Sequence, residues 1–338
     1  MPRRKRQRRI PTPAWGSPRG ALGQTLLGRS LRFYATVGIV ALVVVAVGIV
    51  GFAYGTDYWA DHQRPGSTAV QIDDIKYDLR YFSARLKMYV QQSGLSNEDA
   101  QPEVAIPAVA DLLADEVVIR RFATEMGVSA TDSEIKDEIA ARLGLTSDDA
   151  SYDTLFQQEL SQSGLKEEEY RQMVQANVLN NKILQKLEAE LPASAESVHL
   201  RQIVVSDAAA ADEIKQQVEQ GADFAQLAAE RSLDTTTKDN GGDAGWVPRG
   251  LLQKEVEDIL FALEPGGVET FSITSGAVVL QVLEKAQDRP IEEDQKLSLA
   301  AGRLGLWLNE KRKQVEVRDL VSQDEEKASW VIKRAYAT

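Results

Sequence analysis

Three hydrophobic patterns follow one another along the chain. Residues 33–54 form an unbroken apolar run with no charged side chain. Residues 71–191 and 291–320 carry apolar positions at steps of three and four, the spacing of one helix face. Between them, short β-branched runs bounded by glycine-rich turns replace that spacing, as in strands.

The helical stretches can be read in some detail. Ile75, Leu79, Phe82, Leu86 and Tyr89 mark one stripe, and Val109, Leu112, Leu113, Val117, Ile119 and Phe122 the next. Gly127 is placed to stop that helix, and Thr131-Asp-Ser-Glu134 has the spacing of a capping box that opens another. After Gly164, the residues Tyr170, Met173, Val174, Val178, Ile183, Leu184 and Leu187 form a stripe that ends before Pro192. None of these helices gathers a catalytic set. A last helix is expected over 291–320, with Leu297, Leu304, Trp307, Leu308 and Val315.

From Val198 to Val205 the pattern predicts a strand, and from 208 to 231 a helix bearing Ile214, Val218, Phe224, Leu227 and Ala228. A glycine-rich loop follows, Lys238-Asp-Asn-Gly-Gly-Asp-Ala-Gly-Trp246. Then come a short helix over 253–263, a Pro265-Gly-Gly turn and a closing strand over 278–283. That order predicts a small α+β domain.

The apolar run is long enough, at about 1.5 Å per residue, to cross a hydrocarbon core of roughly 30 Å. Phe33, Tyr34, Tyr54, Tyr58 and Trp59 flank it where an aromatic belt would lie. Nine basic residues and no acidic one occupy positions 1–56, and Asp57 and Asp61 follow the run. The positive-inside rule then places the N-terminus in the cytoplasm and the body outside, in a single-pass cell-membrane protein. A cleaved signal peptide is the alternative, but the run exceeds a typical h-region and no Ala-x-Ala site follows closely.

Charge and composition narrow the chemistry. The net charge is −12, yet beyond residue 56 there are 30 basic against 51 acidic residues. An acidic body repels phosphate backbones, so no nucleic-acid partner is expected. The chain has no cysteine and only two histidines, His62 and His199. Disulfides, thiolate nucleophiles and Cys-ligated zinc are excluded, and neither a metal nor another cofactor is expected.

Five segments in order carry a family resemblance. They are Gln202-Ile-Val-Val205, Asp223-Phe-Ala-Gln-Leu-Ala228, Ser232-Leu-Asp234, Gly241-Gly-Asp-Ala-Gly-Trp246, and Gly250 through Gly266, with Ser275-Gly276 leading into the last strand. Residues 198–285 resemble the parvulin-type peptidyl-prolyl isomerases. The flanking helices resemble the chaperone module of SurA- and PrsA-type export foldases. Hydropathy, charge and composition give a basic tail (1–32), a transmembrane helix (33–54) and a linker (55–70), the anchor being a departure from the PrsA type, and the resemblance completes an α+β layout beyond them. An all-α chaperone-like region (71–192) and a C-terminal helix and tail (291–338) would then flank an inserted isomerase domain (195–288).

It also implies site residues. Leu252, Val256 and Phe261 match the family's proline pocket of one methionine and two phenylalanines, with Ser275 beside it. Asp234 matches the central Cys/Asp position. Gln202 and Val278 stand at the two positions where the family has histidines. Gln202 can still donate and accept hydrogen bonds, whereas Val278 can do neither. His199, three residues before Gln202, falls on the opposite face of the strand. The implied function is a foldase that speeds X-Pro isomerisation in exported polypeptides. The alternative is a silent holdase that binds unfolded exported chains. The segment after the first strand, Ser206 to Glu213, holds no Arg or Lys, so no preference for phosphoserine-proline is expected.

Overall fold

The computed structural model describes residues 25–26, 29–30, 64–93 and 101–336. The expected transmembrane segment and most of the linker lie outside the described residues. No helix among the described residues is long and apolar enough to cross a membrane.

Residues 66–338 form one compact unit. The helical body begins not with a helix but with a hairpin, β1 (Thr68–Ile72) and β2 (Ile75–Asp78). Ala69, Val70 and Ile72 are fully buried. Asp73 turns the hairpin at a φ of 51°, a conformation that Asp tolerates better than most residues. A third strand, β7 (Val317–Asp319), pairs antiparallel with β1, giving the order β2-β1-β7. The all-α expectation for this region is therefore corrected. Three short strands are too brief to show a period, and β7 lies nearly 250 residues from its partner.

Helices α1 (Leu79–Gln92), α2 (Pro102–Phe122), α3 (Asp132–Arg142), α4 (Tyr152–Ser163) and α5 (Glu167–Ala189) follow. The capping box at Thr131 is present: the Glu134 amide donates to Thr131 Oγ1 at 3.2 Å and the Thr131 amide to Glu134 Oε2 at 2.8 Å. Gly127 ends a 3₁₀ turn after α2, and Gly164 ends α4. Deep in the body, Arg85 and Glu116 form a buried two-pronged ion pair between α1 and α2, at 2.6 and 2.8 Å.

The C-terminal part differs from the single helix expected over 291–320. Helix α9 spans Glu293–Arg312, the chain then enters β7, and α10 (Glu325–Ala335) closes against α1. Ala300 and Leu304 of α9 share a buried cluster with Ile119, Leu179, Ile183 and Leu187, so α9 belongs to the core of the body. Trp330 and Val331 of α10 join the main body core.

Between α5 and α9 stands an antiparallel sheet with the order β4-β3-β6-β5. Its strands are β3 (Ser194–Val205), β4 (Asp243–Pro248), β5 (Val268–Ile273) and β6 (Gly276–Pro290). Only two of the four are legible as strands in the sequence. β4 begins within the glycine-rich loop and runs past its end to Pro248, and β5 is an edge strand of mixed polarity. The helix expected over 208–231 is two, α6 (Ala208–Glu219) and α7 (Phe224–Arg231), broken at Gly221 and restarted by the Asp223 cap. α8 spans Lys254–Ala262.

Alternation along β3 and β6 assigns the two sheet faces. Ile203, Val205, Ala277 and Val279 face α6 and α7. Val198, Leu200, Leu280 and Val282 face α8, through Leu260 and Phe261. The second face is only partly covered, and its open end is a cavity.

Candidate active site

The cavity measures about 530 Å³ and opens on the α8 face of the sheet. Leu200, Gln202, Val278 and Leu280 form its floor. Ala244 and Val247 of β4, Leu252, Gln253 and Val256 rise on one side; Phe271, Ser272, Ile273 and Thr274 rise on the other. A pocket of this size, mostly apolar with a few polar groups at the edge, suits a small hydrophobic ring.

At the floor's edge, Gln202 Nε2 donates to Asp234 Oδ2 at 2.7 Å. β4 pairs with β3 only as far as Arg201. Beyond it, the segment after α7 takes the edge: the Leu233 amide donates to Val204 O at 2.8 Å, and the Val204 amide to Ser232 Oγ at 3.2 Å. That edge contact carries Asp234 to Gln202. Gly242 sits against the same strand, its O accepting from the Gln202 amide at 2.7 Å. A Cβ at Gly242, where φ is +80°, would stand 2.6 Å from Gln202 O, so only glycine fits there.

Asp234 is well supplied with donors. The Thr237 hydroxyl reaches Oδ2 at 2.5 Å, and the Thr236 amide reaches Oδ1 at 3.0 Å. These bonds, the Thr237 hydroxyl first, hold its carboxyl down at about 2. The group is a permanent anion at neutral pH, half-buried at the cavity edge. No Lys or Arg lines the cavity.

His199 is engaged elsewhere. Its Nε2 lies 2.8 Å from Asp243 Oδ1, and its ring stacks on Trp246 at 5.1 Å. Burial opposes ionisation of Asp243, but the Gly245 amide and His199 outweigh it and keep the carboxyl below its usual range.

Of the residues singled out in the sequence, Gln202 and Asp234 are brought together, and Leu252 and Val256 line the cavity. Val278 lies in the floor. Phe261 does not line it: it is 8% exposed in the core under α8, with the Arg249 guanidinium 3.9 Å above its ring. Ser275 is exposed in the β5–β6 turn, one residue past the lining. The aromatic wall is supplied instead by Phe271, cross-strand partner of Val278. Helical spacing hid this swap: Leu252 lies in the loop before α8, Val256 on its cavity side and Phe261 on its inner side. No local signal singles out Phe271, which lies on an edge strand of mixed polarity.

A hydrophobic pocket bordered by an anchored carboxylate thus lies on a four-stranded antiparallel sheet that is joined to a helical body. Residues 165–286 match the PPIC-type PPIase domain, and residues 29–184 match the SurA-like N-terminal domain. The chain thus combines both domains. It is similar to the foldase protein PrsA of Caldanaerobacter subterraneus, 28% identical over 51% of this chain and 56% of that protein. It also resembles the PrsA foldase of a Geobacillus species, 28% identical over 58% of this chain and 69% of that protein. The chain therefore spans little more than half the length of the first of these relatives. A solved peptidylprolyl isomerase (PrsA) structure from Bacillus anthracis aligns over 68% of this chain and 95% of that one, with 18% identity and a TM-score of 0.39.

Proposed function

We propose that this chain is a membrane-anchored foldase outside the cytoplasm, accelerating cis–trans isomerisation of X-Pro bonds in exported polypeptides. The observation that carries the reading is the apolar cavity with the ionised Asp234, oriented by Gln202, at its edge. The barrier to rotation is about 18–20 kcal/mol because the planar amide shares charge between its oxygen and nitrogen. Rotation removes that charge separation. An apolar cavity disfavours the charge-separated planar form, and a fixed negative charge near the amide oxygen disfavours it further. No covalent step or cofactor is needed. The site residues are Gln202 and Asp234 as the polar centre, with Leu252, Val256, Phe271, Val278 and Leu280 holding the proline ring.

Silent binding of unfolded chains is a second reading, favoured by one observation: neither Gln202 nor Val278 can titrate where the family has histidines. A protease-coupled isomerisation assay on the full chain separates the two. Catalysis that Asp234→Ala lowers supports the first, and peptide binding without catalysis supports the second. The anchor at 33–54 is tested by adding protease to spheroplasts. The body should be digested, and full protection in intact membranes would refute the topology.

A further inference from the structure

We propose that Gln295 and Leu299 of α9 are positioning residues for the isomerase cavity, so that the helical body completes a pocket the small domain does not close alone. The inference rests on the isomerase reading above. The wall concerned runs from β4 to α8 and contributes Ala244, Val247, Leu252 and Gln253 to the cavity. β4 is an edge strand, so one row of its backbone groups has no strand partner.

α9 meets that edge with its first turns. Gln295 Nε2 donates to Trp246 O at 2.7 Å, while its Oε1 accepts from the Glu292 amide at 3.2 Å. The second bond is the return arm of a capping box, so the helix start fixes the orientation of the amide that grips β4. One turn on, Leu299 is buried, and its Cδ2 lies 3.3 Å from where a Cβ at Gly250 would stand. The Arg289 guanidinium, just before α9, lies 4.5 Å from the Trp246 ring centroid. From the next face of the same helix, Ala300 and Leu304 pack into the body core. α9 is therefore held by the body on one side and holds the cavity wall on the other. Within its own domain the loop has further ties: the Gly250 amide donates to Glu257, and Arg249 pairs with Glu196. None of these reaches the Trp246 carbonyl.

The dual role of Gln295 supplies a clean test. Gln295→Glu keeps the oxygen that caps α9 but has no donor for Trp246 O. In the full chain it should leave the melting temperature of the body unchanged. It should raise the KM, or the Kd by NMR titration, for a proline peptide about three- to tenfold, the effect of one positioned hydrogen bond. The kcat should stay within about twofold, since nothing touching the amide has changed. Amide exchange over 246–253 should quicken, and Leu299→Ala should quicken it too. A Gln295→Glu chain with wild-type KM and wild-type exchange over 246–253 overturns the proposal. If the wild-type chain neither binds nor turns over proline peptides, the isomerase reading itself fails, and the positioning role falls with it.

Discussion

Removing one member of the Arg85–Glu116 pair should cost far more than removing both, and the two single losses should respond differently to pH. Both side chains are nearly out of water, at 4% and 9% exposure. Glu116 accepts from both terminal nitrogens of Arg85, at 2.6 and 2.8 Å, and Tyr81 OH accepts from Arg85 at 2.9 Å. Burial alone would lower the guanidinium's affinity for its proton, but the bonds to Glu116 and Tyr81 outweigh it and raise that affinity. Burial raises the Tyr81 phenol likewise, so it stays neutral. Breaking a buried pair from one side costs about 3–5 kcal/mol, because the survivor remains charged and unpaired. For a unit of this size that is a fall of roughly 6–20 °C in melting temperature.

The two survivors differ in their escape. In Arg85→Met the remaining carboxylate can take up a proton, so the loss should shrink as pH falls from 8 to 5. In Glu116→Leu the guanidinium cannot lose its proton, so the loss should be flat over the same range. Arg85→Met with Glu116→Leu fills the space with apolar atoms and should recover most of the stability. Calorimetry at three pH values reads all of this. A cavity of about 190 Å³, lined by Arg85, Glu116, Arg142 and Asn177, adjoins the pair. If single variants lose less than about 1 kcal/mol, water has entered there and solvated the survivor. The dry-pair reasoning would then be refuted.

Other expectations concern the site. Phe271→Ala should raise peptide KM more than Phe261→Ala does, while Phe261→Ala should cost more stability, about 3–5 kcal/mol; the reverse order would show that Phe261 meets substrate. Gln202→His with Val278→His should raise isomerase activity if the cavity takes both rings. Overpacking at Val278 costs about 1–3 kcal/mol, so a melting curve must accompany the assay, and a stable, unimproved double variant would count against a parvulin-like centre. Glu134 and Asp234 both ionise near 2 in the fold, held down first by Lys182 and by Thr237 respectively, against 4.5 and 3.8 as ordinary values. Their folded forms release protons more readily than the unfolded chain, so stability should be full above about pH 5 and decline as pH falls toward 2. Thr237→Val should soften the Asp234 part of that decline, and an unchanged acid profile would show that the hydroxyl does not hold the carboxylate.

The sequence makes some elements of this fold legible and hides others for physical reasons. Long helices announce themselves because each apolar stripe repeats over several turns, as at Val109–Phe122 and Tyr170–Leu187. The capping box at Thr131 and the stop at Gly127 are local chemistry, readable within four residues. β1, β2 and β7 are not, since a three- to five-residue strand shows almost no period. Val317–Asp319 becomes a strand only because the chain returns to lie beside Val70 and Ile72. The same holds for β4, whose Asp-Ala-Gly start, after Gly241-Gly242, looks like a loop until Leu200 and Arg201 are placed next to it.

The site divides along the same line. Gln202 and Asp234 are legible as a pair because flanking motifs fix both, and the structure joins them through an edge contact that no local pattern could show. Phe261 is misplaced for a reason that single-helix reasoning cannot escape. α8 presents one face to the cavity and another to the sheet, and Val256 and Phe261 are five residues apart, about 140° around the helix. A residue that far round cannot share the pocket with Val256, so the aromatic wall has to come from another element. Phe271 meets that need because its strand is antiparallel to β6 and in register with Val278. Which aromatic lines the cavity is therefore set by strand register, a long-range property, while the apolar character of the pocket is set by composition. That is why the character of the cavity can be read from the chain more readily than the residues that line it.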